Sequence, residues 1–383
     1  MQYRRPTTDW FGVRDTLAAW GVTPSLRYGT DLQANVLGGR RRGTAYAGEL
    51  AVDLDFDLET LAGLRGLRLH TSADWASGTD LSRDVGNVFT VAQFFEGRQA
   101  RLYTLFLQQT LLNGRLDFKV GRFGTADNFL TPPAAANVVN EALNPIVVGL
   151  QQNVPSVTAD PNATWGGRAL GWPSEKVSLA VGAFYSDPTL DTLTANGTEF
   201  GIDRKAGYFL IGETAYHVNQ GKGATGLPGW YRVGGYYDSN RYAHLDDARR
   251  EERGNFGFYL LGEQMVYRES ETEGSQSLSL FGAFVWAPRE QINTMPYFVS
   301  AGASYRGLLP GRDQDAAVFA LYYGGFSRVL PGRTYELVLE WTYTINVAPW
   351  LSVHPDIQYV IRPSGQSSVG NALVVGGQLW FSF

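Results

Sequence analysis

Residues 371–383 read NALVVGGQLWFSF, and this stretch decides the fold. Side chains alternate between two faces along an extended chain. Leu373, Val375, Leu379, Phe381 and Phe383 fall on one face of the stretch, while Ala372, Val374, Gln378, Trp380 and Ser382 fall on the other. The alternation predicts a β-strand. An exposed apolar strand edge would recruit other chains, so we predict that this strand pairs with neighbours on both sides.

The same alternation recurs throughout the chain. Residues 26–36 read LRYGTDLQANV, and residues 50–58 read LAVDLDFDL, each with one apolar and one polar face. Fourteen further strands are predicted at 66–77, 100–112, 115–125, 163–172, 177–187, 207–218, 229–240, 254–268, 276–287, 296–307, 315–327, 334–347, 351–362 and 371–383. About sixteen strands result, and bacterial barrels have an even number. The fold class is therefore predicted to be all-β, a 16-stranded antiparallel transmembrane β-barrel.

The connections between these strands fall into two alternating classes. Compact ones are predicted at 61–66, 112–115, 172–176 and 348–351, and long ones at 78–97, 126–162, 187–206 and 239–253. Short periplasmic turns and long outer loops produce this asymmetry when both termini are periplasmic. A barrel of about sixteen strands encloses an aqueous channel. The longest loop, 125–163, is predicted to fold inward and narrow that channel, and its many amide side chains suit hydroxyl-rich solutes.

Composition limits the other classes. The 383 residues include 13% aromatic residues and 45 Gly, and no linker divides them. A short helix is predicted before the barrel, giving an N-terminal periplasmic segment at 1–21 and a barrel at 22–383. No stretch approaches the roughly 20 apolar residues of a membrane helix. The net charge of −5 is scattered, so no nucleic acid partner is expected. The chain has no Cys. No signal peptide pattern precedes the first strand, and we expect that a signal has been removed.

The polar phase of the strands predicts which charged side chains line the lumen. A charge that faced lipid would cost roughly 2–4 kcal/mol at the bilayer midplane. The charged residues on this phase are Arg27, Asp31, Glu49, Asp53, Arg68, His70, Asp74, Lys119, Arg168, Glu213, Arg232, Glu336, Glu340, His354, Asp356 and Arg362. Arg122 falls on the apolar phase, so either a bulge at Gly121 turns it into the pore or it lies near the membrane interface.

Several segments in chain order resemble the carbohydrate-selective porins of the OprB family. They are DWFGVR at 9–14, LRYGTDLQANVLGG at 26–39, LAGLRG at 61–66, KVGRF at 119–123 and TWGGR at 164–168. A final strand that ends in Phe also resembles the assembly signal of outer-membrane barrels. The resemblance implies an outer-membrane channel that passes monosaccharides such as glucose, with an inward loop and charged lumen residues at its narrowest point. It also implies a site that includes Lys119, Gly121, Arg122, Asp127, Phe129, Trp165 and Arg168.

The candidate substrate-binding residues combine these with the lumen charges. They are Arg27, Asp31, Glu49, Arg68, Lys119, Arg122, Asp127, Phe129, Trp165 and Arg168. For the charged residues the alternative is an ion-pair network that holds loops against the wall, and for the aromatic residues it is wall packing. Contact of the basic tip 38–43 with lipopolysaccharide phosphates is an alternative to simple solvation.

The expected partners are small sugars, outer-membrane lipid and lipopolysaccharide, with either a monomer or a trimer. No metal and no cofactor is expected. The four His residues lack paired spacing, and no nucleophile elbow occurs, so no enzyme is predicted. Two alternatives stay open: a porin for ions or organic anions without sugar selectivity, and an outer-membrane enzyme or adhesin.

Overall fold

The computed structural model describes residues 10–94, 97–144, 146–189, 196–203, 206–221, 223–270 and 276–383. Part of the predicted N-terminal segment 1–21 lies outside these ranges. These ranges contain four short α-helices: α1 Val13–Ala19, α2 Leu58–Ala62, α3 Ser82–Val85 and α4 Val148–Gln151. Within the described ranges, no helix combines the length and the apolar character needed to cross a membrane.

Sixteen strands in the described part of the chain form the barrel wall. The first eight are β1 Val22–Gly39, β2 Gly43–Asp57, β3 Leu67–Gly78, β4 Gly97–Leu111, β5 Leu116–Phe123, β6 Thr164–Ser174, β7 Val177–Ser186 and β8 Gly207–Val218. The second eight are β9 Gly229–Ala243, β10 Glu251–Arg268, β11 Ser277–Trp286, β12 Tyr297–Arg306, β13 Ala316–Gly325, β14 Tyr335–Ala348, β15 Leu351–Ile361 and β16 Gly370–Ser382. Each pairs antiparallel with its sequence neighbours, and the predicted barrel is confirmed.

Closure between β16 and β1 completes the barrel. Arg27 lies opposite Ser382 and Gln33 opposite Gly376 in an antiparallel register, while the other edge of β16 pairs with β15. Beyond the last pair, the backbone N–H of Phe383 donates to the carbonyl of Leu26 at 2.8 Å. Every backbone polar group in a lipid-embedded strand needs an internal partner. The C-terminal strand meets that requirement only because the chain's first strand covers its free edge.

One predicted connection is shorter than expected. The loop predicted at 239–253 shrinks to 244–250, since β9 continues to Ala243 and β10 already begins at Glu251. Gly254, at a φ of +81°, allows a register shift between Arg253 and Asn255, and β10 therefore continues three residues beyond its predicted start. The long connections at 79–96, 124–163 and 187–206 have the predicted places in the chain.

The two faces of the barrel wall differ in chemistry. Outward positions are exposed and apolar, including Leu32, Val120, Val181, Val233 and Leu260. The alternate positions of the first strand, Asp31, Gln33 and Asn35, are each only 2% exposed. A lipid-facing outer surface and a polar lumen produce this alternation. The polar phase read from the sequence is therefore the inner face.

The lumen is occupied in large part by the inward loop, which we define as residues 124–163. Its fully buried side chains include Phe129, Leu130, Val147, Leu150 and Val154. They join one continuous apolar cluster with inward side chains of the later strands, which are Phe184, Phe209, Ile211, Tyr236, Tyr259, Leu261, Phe281, Val285, Phe298, Val318, Tyr322, Val338, Val360 and Val374. Phe106 of β4 and Phe123 of β5 also belong to the cluster, but most of its wall residues lie on β7–β16. We infer that apolar burial fixes the loop mainly against β7–β16 and leaves the remaining lumen beside β1–β6.

We expect Phe129→Ala to destabilise the protein more than Phe118→Ala. Phe129 is fully buried and meets the ring of Phe184 edge to face at 6.2 Å, whereas Phe118 is 42% exposed on the outer wall. Removal of a buried phenyl ring costs about 3–5 kcal/mol. Urea unfolding of both variants in detergent measures the difference. Equal losses would show that the inward loop is not held by apolar packing.

Candidate functional site

Buried glutamates on the far wall hold the loops by their backbone. Glu340 on β14 accepts hydrogen bonds from the N–H groups of Val139 at 2.6 Å and Asn140 at 3.0 Å. On the same strand, Glu336 accepts from the N–H of Phe89 at 2.8 Å. Both glutamates are fully buried. Their carboxylates satisfy N–H groups that irregular loops leave unpaired inside the barrel. These lumen charges therefore act as struts.

A third strut lies under the start of the inward loop. Glu213 on β8 is 3.4 Å from the guanidinium of Arg232 and accepts from the Tyr259 hydroxyl at 3.2 Å. Arg232 also donates to the carbonyl of Thr131 at 3.4 Å. The alternative given for lumen charges, a network that holds loops against the wall, thus describes the β8–β14 side.

The opposite wall carries charges that face the inward loop across the remaining space. Arg27 on β1 pairs with Asp53 on β2 at 3.3 Å, and Asp53 lies 3.8 Å from His70 on β3. Arg168 on β6 pairs with Asp117 on β5 at 2.8 Å. Both signs alternate around this wall. We call the space the polar gap, lined by Arg27, Glu49, Asp53, His70, Asp74, Lys119, Asp127, Asp160 and Arg168.

An aromatic ring stands among these charges. His70 stacks on Phe106 with ring centroids 4.8 Å apart, and the ammonium of Lys119 lies 4.1 Å from the centre of the same ring. Such a contact between a cation and a π face is stronger where water is excluded. Phe106 thereby fixes the position of the one Lys in the polar gap.

The inward loop contributes Asp127 to the polar gap. Its carboxylate accepts from the hydroxyl of Tyr103 and from the N–H of Gly124. Burial raises the pKa of the Asp127 carboxyl, while the charge of Lys119 and the Tyr103 hydrogen bond oppose that rise. The loop begins at a fixed distance from β4 and β5 because these contacts hold its first turn.

Three further carboxylates meet where the loop returns to the wall. Glu49 on β2, Asp74 on β3 and Asp160 on the inward loop each place one oxygen within 4.8 Å of the others. They are the acidic group whose spacing would suit a bound cation. No His side chain belongs to this group among the residues that the structure covers.

The structure brings half of the predicted site residues together. Arg27, Glu49, Lys119, Asp127 and Arg168 all line the polar gap. Four of them lie on β1, β2, β5 and β6, within six consecutive strands of the barrel, and Asp127 lies on the inward loop.

The other predicted residues lie elsewhere. Asp31 is buried on the lumen face, where Gln378 donates to it at 2.9 Å. Arg68 is exposed near the start of β3, opposite Asp57. Phe129 is part of the inward loop and is fully buried where the loop packs against Phe184.

Arg122 and Trp165 lie opposite each other on the outward phase of β5 and β6. The register of β5 runs without interruption through Gly121, so no bulge turns Arg122 inward. Instead Arg122 donates to the carbonyl of Gly197 and lies 5.9 Å from the centre of the Phe200 ring. The segment 196–203 therefore covers the outer face of the wall where β5 ends, and its contacts with Arg122 hold it there.

Some lining residues were not singled out as site residues from the sequence. In the sequence, Phe106 and Tyr103 appear only as members of an alternating strand. In the structure, the register shifts between Ser72 and Ala73, so Tyr103 of β4 has no partner on β3. Asp160 read as one polar residue of a long loop. Asp74 and His70 did carry a signal, since both fall on the polar phase of β3.

A closed sixteen-stranded barrel with an apolar outer face, a loop folded into its lumen and a charged passage beside that loop defines a membrane channel. Residues 41–383 match the family described as carbohydrate-selective porin, OprB family. The chain belongs to this family, and its function is the passive diffusion of carbohydrates across the outer membrane. The family and the fold indicate a channel rather than an enzyme.

Individual relatives agree with this assignment. Porin B of Pseudomonas aeruginosa is 25% identical over 96% of this chain and 89% of that protein. A putative porin, QuiX, of Acinetobacter baylyi is 22% identical over 98% of this chain and 92% of that protein. The high pH structure of Pseudomonas putida OprB superimposes with a TM-score of 0.90 at 24% identity, covering 99% of this chain and 98% of that one. This last likeness concerns the fold.

We expect Arg168→Ala to alter ion selectivity and Arg122→Ala to leave it unchanged. Loss of Arg168 removes a lumen cation and frees Asp117, so the permeability ratio should shift toward cations, on the order of twofold. Arg122 lies outside the lumen. Reversal potentials in a planar bilayer under a salt gradient measure both effects. A shift of equal size in Arg122→Ala would contradict the outward placement of its side chain.

Glu340→Gln should loosen the inward loop. The substitution replaces a charged acceptor of two loop N–H groups by a neutral amide, and hydrogen bonds to charged groups contribute about 1.5–3 kcal/mol. Single-channel recordings should show added current fluctuation in this variant. Glu251→Gln, at an exposed rim position of β10, serves as the control. Quiet current in Glu340→Gln would argue against a strut at this position.

Proposed function

We propose that the polar gap is the passage for a monosaccharide of the size and chemistry of glucose. The observation that carries this proposal is that both hydrogen-bond donors and acceptors line the polar gap. Arg27, Lys119 and Arg168 supply donors, while Glu49 and Asp127 supply acceptors, all within β1–β6 or on the loop that faces them. A ring of one sign would favour ions of the opposite sign. Alternating donors and acceptors suit a neutral solute whose every hydroxyl can both donate and accept.

Each contact in such a passage is weak enough to break. The arginines that face the polar gap already have partners, as Arg27 has in Asp53 and Arg168 has in Asp117. A hydroxyl group exchanges one of these hydrogen bonds for another, so the net gain per contact is small. The sugar is held long enough to be selected and is then released toward lower concentration. It leaves chemically unchanged.

The outer surface supports further proposals about partners. Its exposed apolar side chains suit contact with outer-membrane lipid. The basic tip lies between β1 and β2, and Arg41 there pairs with Asp84 at 2.6 Å while its side chain stays 76% exposed. This pairing leaves an accessible cation for lipopolysaccharide phosphate.

We propose that the lipid-embedded unit is complete as one barrel, whether or not barrels associate into trimers.

The proposal is tested by glucose block of single-channel ion current. We expect saturable block of the unaltered channel, and Lys119→Met should weaken it roughly fivefold, which corresponds to about 1 kcal/mol for one lost hydrogen bond. The control is Lys176→Met, because Lys176 is exposed in the turn between β6 and β7. A disaccharide and an organic anion are titrated in parallel.

Two results would contradict the proposal. Current that no sugar affects, together with block by the organic anion, would identify a porin for organic anions. Equal sugar block in Lys119→Met and in the unaltered protein would move the sugar site out of the polar gap.

A further inference from the structure

Three elements each bring one carboxylate to the place where the inward loop rejoins the wall. Glu49 comes from β2, Asp74 from β3, and Asp160 from the loop, four residues before β6 begins at Thr164. Their nearest oxygens all lie within 4.8 Å of one another. The group is enclosed, with Asp74 only 4% exposed and Glu49 only 8% exposed.

The carboxylate of Asp74 points into this group without a hydrogen-bond donor. Neither of its oxygens, and not Oδ1 of Asp160, has a partner among the residues that the structure describes. Buried carboxylate oxygens are ordinarily hydrogen-bonded or matched by a positive charge, because desolvation of an unmatched charge is costly. Three carboxylates this close also repel one another. The arrangement calls for a positive species between them.

The nearby arginines have other contacts. Arg27 acts electrostatically on all three carboxylates, but its Nε lies against Asp53, a fourth acid, at 3.3 Å. Arg101 donates from Nη1 to the side chain of Asn162. Lys119 lies beside Asp127 and over the Phe106 ring. Arg101 lies opposite Asp74 in the register of β3 and β4, yet neither Asp74 oxygen has a hydrogen bond from a described residue.

We propose that Glu49, Asp74 and Asp160 hold a divalent cation of the Ca²⁺ class. A purely carboxylate set matches hard cations that prefer oxygen ligands. Three carboxylates offer up to six oxygens, and water fills the remaining positions of a flexible Ca²⁺ shell. The ion would join the returning end of the inward loop to β2 and β3. It would therefore fix the width of the polar gap from the side opposite to Glu340.

Calorimetric titration of the full-length porin with CaCl₂ tests this site. The protein is stripped with a chelator in detergent, and no sugar is present, so the result is independent of sugar transport. We expect one Ca²⁺ per chain and a rise in the unfolding temperature on binding. Asp74→Asn and Asp160→Asn should each lower the affinity by about tenfold or more, since each removes a charged ligand.

The matched control is Asp238→Asn. Asp238 is fully buried and also joins the inward loop to the wall, by accepting from Ser156 at 3.0 Å, but it lies outside the acidic group. This variant should bind Ca²⁺ as the unaltered protein does. Absence of Ca²⁺ binding up to millimolar concentration, or equal binding in Asp160→Asn, would overturn the proposal and assign charge balance to Arg27. Asp160→Asn changes only a loop residue, so it keeps the test valid if Asp74→Asn fails to fold.

Discussion

Apolar packing between the inward loop and one side of the lumen is the interaction on which the rest of this structure depends. A barrel of sixteen strands is wide enough for an open water channel. Phe129, Leu150 and Val154 on the loop instead bury against Phe184, Phe298 and Tyr322 on the wall. This burial moves the open path to the side of β1–β6, where charged side chains of both signs, such as Arg27 and Asp53, line it. If the sugar passes along this path, as proposed, the selectivity of the channel follows from where a hydrophobic contact forms.

Such packing requires that irregular backbone be buried inside the barrel, and buried N–H groups must find acceptors. The acidic residues Glu213, Glu336 and Glu340 meet this requirement on the wall beneath the loops. Their burial would be costly if they were isolated charges. Several N–H and hydroxyl donors around each carboxylate offset that cost. The lumen acids thus support the backbone on one side of the loop, and solute contact is the role proposed for the acids on the other side.

Much of the barrel could be predicted from the sequence because its physical cause is local. Alternation with a period of two follows directly from an outer face in lipid and an inner face in water, and it placed Lys119 and Arg168 on the lumen face. The same alternation placed Arg122 on the apolar phase, but it left open a bulge at Gly121 that would turn the side chain into the pore. Its contact with Gly197 could not be foreseen, since that contact joins residues 75 positions apart through a loop.

The position of the inward loop was predictable only in part. Its length predicted that it would enter the lumen, but the wall that it contacts depends on apolar inward residues of β7–β13, such as Phe209 and Tyr259. Because these apolar residues occupy inward positions, the alternation of apolar and polar side chains is weaker in their strands. This weaker alternation was the available signal for the wall that the loop contacts. The apolar run at 130–150, unsuited to a membrane helix because of its Pro and Asn residues, was the other half of the same signal. The proximity of Asp160 to Glu49 could not be predicted, because the two residues are distant in sequence and only the fold brings them together.

Accessibility of single cysteines from the pore tests the central claim most directly, because the chain has no Cys of its own. Asp55→Cys places a thiol on the inner face of β2, where the native side chain is 52% exposed. Ser300→Cys places one on the inner face of β12, where Ser300 is 2% exposed. A charged thiol reagent should change the single-channel current of Asp55→Cys and leave that of Ser300→Cys unaltered. A rapid change of current in Ser300→Cys, with none in Asp55→Cys, would contradict a passage that runs beside β1–β6.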